Sequence, residues 1–250
     1  MIIREDIGAI AILRLAHGKV SALDVGFCNA LVKELNDIAS SSPRALVLTG
    51  TGSAFSAGVD LFRVLDGGTA YLQEFLPSME ALFHALLAFS KPLVAAINGH
   101  AIAGGCIIAA ACDHRVMAEG NARIGVPELA VGVPFPTLPF EMVRARVSPA
   151  NFRHLVLSGK TLTPPDALAL GLVDEIAPSD VLITRAQHAA EQMMRIPAIA
   201  FALTKRAFVE PILERARASS SLNDDVLEAW ASPDVQARMR AYVESTVGKK

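Results

Sequence analysis

Two segments of the sequence carry glycine where backbone N–H groups could be offered to a ligand. They are Ala54–Leu61 (AFSAGVDL) and Asn98–Gly105 (NGHAIAGG), and each follows an apolar run typical of a buried strand. A strand, a glycine-bearing loop and a helix leave free N–H groups at the carboxyl end of the strand, and glycine lets the backbone approach a ligand that a Cβ atom would exclude. Two such loops facing one cleft could direct two donors at a single oxygen, forming an oxyanion hole. On spacing alone, two tight turns that pack strand against helix explain the same glycines.

A proton-transferring group would complete such a site, and Glu128 is one candidate. It follows Pro127, and this pair also suits the first turn of a helix, where proline fits and a carboxylate favours the helix dipole. The pair alone therefore does not separate catalysis from helix capping. Other titratable side chains near these segments are weaker candidates, for a surface or core role explains each of them: His84, Cys106, Asp66, Glu74 and Glu80.

The motifs of several other chemistries are absent from the sequence. No phosphate-binding GxxxxGK[ST], dinucleotide-binding GxGxxG or GxSxG nucleophile motif occurs. The six histidines show no metal-binding spacing, so we predict no metal site and no bound cofactor. The formal net charge is −2, and the only basic run is Lys249-Lys250. Nucleic-acid binding needs a cationic face, which this charge balance does not support.

Composition and elements predict one α/β core. The hydrophobic fraction of 52% excludes intrinsic disorder. Strands and helices alternate along the chain, which favours largely parallel strand pairing. The predicted strands are 10–15, 45–49, 93–97, 114–117 and 172–176, and the predicted helices are 25–40, 72–89, 104–112, several after residue 136, 201–213, 222–230 and 235–247.

The cysteines, the N-terminus and the longest uncharged stretch of the sequence predict where in the cell the protein is found and whether it crosses a membrane. Three cysteines without a CxxC pair are too few for a disulfide framework, and the charged start MIIRED does not resemble a secretion signal. We therefore expect a cytoplasmic protein. The uncharged residues between Lys91 and Asp113 are broken by proline and glycine, so they predict buried core rather than a membrane span.

Four stretches, in the same order along the chain, resemble the crotonase family, the enoyl-CoA hydratase and isomerase superfamily. They are Ala54–Leu61, Pro92–Gly105 with Cys112–Val116 (CDHRV), Gly125–Leu129 (GVPEL), and Leu157–Lys160 with Ala169–Asp174. The resemblance covers about residues 5 to 215, and it is specific for the family but much less so for the reaction.

The resemblance implies an acyl-CoA thioester substrate and assigns roles to residues. In the family, two main-chain N–H groups polarise the thioester carbonyl, and by position these belong to Val59 and Gly104. The same resemblance gives the substrate-binding set Ala57, Val59, Asp60, Leu61, Phe62 and Gly104. Lys205 and Arg206 could meet the CoA phosphates, although a solvated helix face explains them as well.

The choice of reaction depends on carboxylates. Hydratases of the family usually carry two glutamates; here Glu128 matches the second, whereas Ile107 occupies the first position. One base suffices to move a double bond from C3 to C2, and a lone acid in an apolar pocket should have a raised pKa. The run Gly132–Leu138 replaces a glycine-rich stretch of the hydratases, and its Phe135 could exclude water. We therefore predict a Δ3,Δ2-enoyl-CoA isomerase; the alternatives are a hydratase with one glutamate, a decarboxylating or thioester-hydrolysing relative, and a catalytically silent acyl-CoA-binding protein.

The resemblance also implies an architecture. Residues 1–195 should form the crotonase spiral of ββα units that holds the site, and 196–250 a helical region that assembles homotrimers, commonly paired into hexamers. No membrane or nucleic-acid partner is expected.

Overall fold

Parallel pairing of apolar strands builds the main sheet of the protein, which is described by a computed structural model covering residues 1–247. Gly248, Lys249 and Lys250 lie outside the described residues, and with them the predicted basic run and the end of the predicted region 196–250. The strands are β1 (Ile2–Ile7), β2 (Ile10–Leu15), β3 (Ala45–Gly50), β4 (Ala54–Ser56), β5 (Leu93–Ile97), β6 (His100–Ile102), β7 (His114–Ala118), β8 (Ile124–Gly125) and β9 (Glu175–Ala177).

The main sheet has the order β1-β2-β3-β5-β7-β9. The β1–β2 pair is antiparallel and the other pairs are parallel. β3 and β5 are buried along their whole length, as expected for central strands covered on both faces. A second, small parallel sheet, β4-β6-β8, forms where the chain leaves β3, β5 and β7.

Helices cover the sheet and make up most of the second half of the chain. They are α1 (Val25–Ala39), α2 (Leu61–Ala88), α3 (Gly104–Ala111), α4 (Glu128–Val131), α5 (Thr137–Arg144), α6 (Pro149–Ser158), α7 (Pro164–Leu170), α8 (Leu182–Met194), α9 (Ala198–Ala218), α10 (Leu222–Ala231) and α11 (Pro233–Val247). α10 and α11 pack against α2 around Trp230 and Met239, so these two helices belong to the same body as the site.

Some elements differ from the sequence prediction. α2 begins at Leu61 rather than near residue 72, and it is kinked at Gly68, whose φ of 57° lies in the left-handed region. The last strand of the sheet is 175–177 rather than 172–176. β1 and the three short strands of the small sheet were not predicted, because they contain few apolar residues in a row and depend on tertiary pairing.

The uncharged stretch between Lys91 and Asp113 is core, as predicted: it forms β5, β6 and α3, whose residues are almost all buried. Within residues 1–247 no helix has the length and apolar character needed to cross a bilayer. Cys28, Cys106 and Cys112 are free thiols in the core.

Candidate active site

The two glycine segments lie against each other through their backbones. β4 from the first segment pairs with β6 from the second, and the His100 N–H donates to the Ser53 carbonyl at 3.0 Å. Asn98 strengthens the junction, since its Oδ1 accepts from the Gly50 N–H at 2.7 Å and its Nδ2 donates to the Gly52 carbonyl at 3.1 Å. The facing of these loops, which the sequence left open, is therefore a feature of the fold.

Gly58 stands where the two segments approach most closely. Its φ of +80° favours glycine, and a Cβ atom there would lie 2.6 Å from the Ile102 carbonyl oxygen and 2.9 Å from the Gly104 nitrogen. The residue that precedes Val59 is thus in direct contact with the residue that opens α3.

The amide of Val59 is left without an acceptor in this arrangement. On either side of it, the Gly58 N–H donates to Ser56 Oγ at 3.2 Å and the Asp60 N–H to the Leu23 carbonyl at 2.9 Å. Among the described residues the Val59 N–H has no hydrogen-bond partner. It remains available to a ligand.

Gly104 offers a second amide beside it. Gly104 is the first residue of α3, so its N–H has no carbonyl one turn earlier within the helix. Ala103 before it has a φ of 51°, uncommon for a residue with a side chain, and its carbonyl accepts from the Ile107 N–H at 3.1 Å. Strained backbone of this kind occurs where a site needs a fixed amide direction.

The segment that holds the Val59 loop is anchored by a buried carboxylate. Leu23 binds both sides of Val59 through its N–H to the Gly58 carbonyl and its carbonyl to the Asp60 N–H. The next residue, Asp24, caps α1, lies 2.8 Å from His17 Nε2 and pairs with Arg63 of α2 at 3.3 Å. The amide-bearing loop therefore rests on a rigid support.

Val59, Gly104 and Glu128 line one cavity. The space inside it that the centre of a water-sized sphere can occupy has a volume of about 80 Å³. Its walls are mostly apolar and come from Ala57, Val59, Leu61, Met79, Ile102, Ala103, Gly104, Ile107, Pro127, Glu128, Val131, Val133, Phe135, Pro136, Pro139, Trp230 and Tyr242. Cavities of this kind, with few polar groups, are typical of small-molecule sites.

Glu128 is the only carboxyl group among the described residues that line this cavity. It is the first residue of α4 and only 7% exposed, and its Oε2 has no hydrogen-bond partner in the described residues. Burial disfavours the charged form and raises the pKa of Glu128 to about 8. A carboxyl group with this pKa can both accept and return a proton near neutral pH.

The residues that line the cavity together with Glu128 are mostly apolar, as predicted. Ile107 of α3 is buried and lines the cavity where a hydratase of the family would carry its other glutamate. Phe135 also lines it and packs edge-on against Phe140, with ring centroids 6.0 Å apart.

The C-terminal helices supply two aromatic side chains that were not predicted as site residues. Trp230 of α10 donates from Nε1 to the Pro134 carbonyl at 3.0 Å, and Tyr242 of α11 lines the cavity with Glu128. Burial, followed by the charge of Glu128, raises the pKa of the Tyr242 phenol. No local motif connects these residues to Glu128, so only the tertiary fold identifies them.

Two of the six predicted substrate-binding residues do not line the cavity. Ala57, Val59, Leu61 and Gly104 line the cavity, whereas Asp60 and Phe62 do not. Asp60 caps α2 by accepting from the Phe62 and Arg63 N–H groups at 3.1 Å each, and the Phe62 side chain is 52% exposed. Whether Asp60 and Phe62 touch the CoA moiety stays a prediction.

The weaker candidates have structural surroundings. His84, Asp66 and Glu74 are exposed on α2 and Glu80 is half-buried there, and none of them lines the cavity. Burial raises the pKa of the Cys106 thiol well above its usual range, which suits a core residue. Lys205 is buried and bonded to Asp113 at 2.8 Å, which engages its ammonium group within the fold, while Arg206 is exposed.

Comparison with known proteins identifies the family and several relatives of this chain. The family described as "Enoyl-CoA hydratase/isomerase" matches residues 5–248. A "Putative enoyl-CoA hydratase" of Thermus thermophilus is 39% identical over 180 residues, which cover 70% of each chain. "Enoyl-CoA delta isomerase 1, mitochondrial" of Rattus norvegicus is 28% identical over 254 residues, covering 99% of this chain and 87% of the rat protein.

Among solved structures, that of human mitochondrial delta3-delta2-enoyl-CoA isomerase superposes with a TM-score of 0.92. The two chains are 26% identical, and the alignment covers 100% of this chain and 99% of the human one. The strand spiral and the C-terminal helices are thus those of a solved relative.

Proposed function

The chain belongs to the enoyl-CoA hydratase/isomerase family and is an enzyme of that family. On that premise we propose that it is a Δ3,Δ2-enoyl-CoA isomerase with Glu128 as its single acid–base group. The observation that carries the proposal is that Glu128 is the only carboxyl group lining the cavity within the described residues, with buried Ile107 in the wall where a second would stand.

In this proposal the thioester carbonyl oxygen accepts hydrogen bonds from the Val59 and Gly104 amides. Val59 and Gly104 both line the cavity, and Gly58, which directly precedes Val59, packs against Gly104, which supports this assignment. Loss of the proton at C2 moves negative charge onto that oxygen, so donors fixed beforehand stabilise the dienolate more than the substrate. Each such hydrogen bond lowers the barrier by about 3 kcal/mol.

Glu128 then moves one proton along the acyl chain. Its carboxylate takes the proton from C2, the C2–H electron pair enters the dienolate, and the protonated carboxyl group delivers the same proton to C4. The double bond passes from C3=C4 to C2=C3, and no proton is gained or lost overall. The raised pKa of about 8 matches both halves of this transfer, because the group is neither too weak a base nor too weak an acid.

Hydration of a 2-enoyl-CoA requires groups that hold and activate a water molecule, and the residues of this cavity are poorly suited to that. A water molecule must be held and deprotonated beside C3, for which two carboxylates are best suited. Glu128 is accompanied here by Ile107, Val131 and Phe135. An apolar wall favours proton return to carbon over addition of water.

The direct test is to incubate the purified protein separately with a 3-enoyl-CoA and a 2-enoyl-CoA of six carbons. We expect isomerisation of the first to exceed hydration of the second by at least tenfold in kcat/KM. Hydration far above isomerisation would overturn the isomerase proposal, and turnover of neither ester would favour the silent acyl-CoA-binding protein.

The second candidate, an enoyl-CoA hydratase that works with one glutamate, is favoured by the likeness to the Thermus thermophilus protein described as a putative hydratase. The same pair of assays separates the two reactions. A thioester hydrolase would instead release free CoA from either ester.

The role of Glu128 is tested by Glu128→Gln, with Glu74→Gln as the matched control because Glu74 is exposed on α2 and does not line the cavity. We expect Glu128→Gln to abolish isomerisation of a 3-enoyl-CoA and Glu74→Gln to retain it. Retained isomerisation in Glu128→Gln would refute the assignment.

We also propose that the protein acts in the cytoplasm as a homotrimer or a pair of trimers, with the helical region from residue 196 in the interface. Exposed large apolar side chains on α9 support this assembly: Ile199, Leu203 and Phe208. Light scattering after gel filtration should give three or six times 26.5 kDa. A monomer at micromolar concentration would contradict it.

A further inference from the structure

A second apolar hollow adjoins the reaction cavity. It is an open groove between α2 and α10, and it has about 210 Å³ open to the centre of a water molecule, against about 80 Å³ in the cavity. Apolar side chains form most of it: Leu72, Leu76, Phe83, Leu138, Val226 and Leu227.

The groove and the cavity share part of their walls. Met79, Pro136 and Pro139 line both hollows. Proline rings are rigid, whereas methionine is unbranched and adapts by rotating about its own bonds. Met79 is therefore the adjustable part of the partition between the two spaces.

We propose that this groove binds the distal part of the acyl chain and that Met79 marks the point where the chain passes from the cavity into the groove. The proposal rests on the proposed function for the position of the thioester. From there, a chain too long for the small cavity would displace the side chain of Met79 and continue into the apolar groove between α2 and α10.

Burial in the groove should favour longer chains. Each methylene group removed from water contributes about a fourfold gain in affinity, as long as it meets an apolar wall. Six further carbons in the groove would give far more than tenfold in binding even if half of them stayed partly wet.

Two acidic side chains lie at the groove, and their negative charge restricts which chemical group the far end of the acyl chain can carry. Glu80 of α2 and Asp224 of α10 both stand at the groove, and no Lys, Arg or His among the described residues lines it. A methyl end meets no electrostatic opposition there, whereas a terminal carboxylate is repelled. The substrate class is therefore an enoyl-CoA of medium or greater chain length with an uncharged end.

The groove can be filled without touching the cavity. Leu227 is half-buried on α10 and lines the groove but not the cavity, so Leu227→Trp should block the distal site. We expect kcat/KM for a twelve-carbon 3-enoyl-CoA to fall at least tenfold and that for a six-carbon ester to stay within twofold. The matched control is Ala81→Trp, which adds the same ring at an exposed position of α2, the other helix beside the groove, outside both hollows, and should change neither value.

Binding of saturated acyl-CoAs separates this inference from the proposed function, because it needs no turnover. By calorimetry the unaltered protein should bind dodecanoyl-CoA at least tenfold more tightly than hexanoyl-CoA, and Leu227→Trp should remove that difference. Equal affinities in the unaltered protein, or a difference that Leu227→Trp leaves intact, would overturn the groove assignment even if the six-carbon ester is isomerised. A chain-length difference that depends on Leu227, without isomerisation of any ester, would sustain the groove and defeat the isomerase.

Discussion

We propose that a single carboxyl group kept from water, that of Glu128, controls the reaction, and its burial also makes the stability of the protein depend on pH. Glu128 is buried, one of its oxygens has no partner in the described structure, and its pKa is raised from 4.5 to about 8. Burial thus sets the protonation of the group to which we assign the proton transfer.

The first prediction is the pH dependence of isomerisation. The ionised carboxylate must take the C2 proton from the substrate, so kcat/KM should rise with pH, with a midpoint near 8, and level off above it. Initial rates with a 3-enoyl-CoA between pH 6 and 9.5 measure this. A midpoint near 4.5 would mean that Glu128 is solvated in the working enzyme.

The second prediction concerns the free energy of unfolding. Because the pKa of Glu128 is higher in the folded state, its contribution to stability is fully present below pH 4.5 and is lost as the pH rises through 8. The glutamine side chain of the Glu128→Gln variant cannot ionise. The free energy of unfolding of this variant minus that of the unaltered protein should therefore increase by a few kcal/mol between pH 5.5 and pH 9. Urea unfolding at the two pH values measures it.

Glu74→Gln is the control for this measurement, because Glu74 is exposed on α2. Its difference from the unaltered protein should not change with pH. A Glu128→Gln difference that is the same at both pH values would contradict the burial of an ionisable group.

At the scale of elements, the site depends on two strand–loop–helix units that touch through glycine. The third prediction is that Gly58→Ala lowers kcat ten- to a hundredfold, because the added Cβ meets the Ile102 carbonyl and the Gly104 nitrogen and pushes the two amides apart. Isomerase kinetics measure this loss.

Gly120→Ala is the matched control. Gly120 also has a positive φ, +114°, but a Cβ there meets nothing within 4 Å. It should cost about 1 kcal/mol in stability for the left-handed backbone and leave kcat unchanged. Equal kcat losses in both variants would show that general destabilisation, not separation of the amides, is responsible.

The sequence predicts elements well where local signals are strong. The runs 45–49, 93–97 and 114–117 are predicted within a residue, because continuous apolar stretches have clear ends at proline, glycine or charge. The start of α2 is missed, since Asp60 caps a short first segment ahead of the kink at Gly68. The short strands β4, β6 and β8 are missed because each is stabilised by its partner rather than by its own residues.

The same contrast holds for the site. Glu128 and both amide-bearing loops carry motifs, and the structure brings them to one cavity. Met79, Trp230 and Tyr242 carry no motif, because they occupy helical positions whose apolar character would suit any protein core. Only tertiary contacts between distant parts of the chain bring them to the cavity with Glu128.

For the whole molecule, the C-terminal helices close the reaction cavity of their own chain. Trp230 is the only tryptophan in the sequence and it stands in the cavity wall, 2% exposed. The fourth prediction is that saturating hexanoyl-CoA changes the tryptophan emission excited at about 295 nm, because an acyl chain in the cavity changes the surroundings of the indole ring.

Free CoA, which has no acyl chain to enter the cavity, is the control and should leave the emission unchanged. The same change with CoA alone would place the ligand effect outside the cavity. Trp230→Phe should abolish the signal altogether.

The cavity walls run from Ala57 to Tyr242, and this has a consequence for biosynthesis. A growing polypeptide that has left the ribosome as far as α9 holds Glu128 and both amides, yet lacks the aromatic wall supplied by the last helices. Such nascent chains lack part of the cavity wall, so we expect turnover of acyl-CoA only after translation of α11. Messages cut short before that point should yield protein but no turnover.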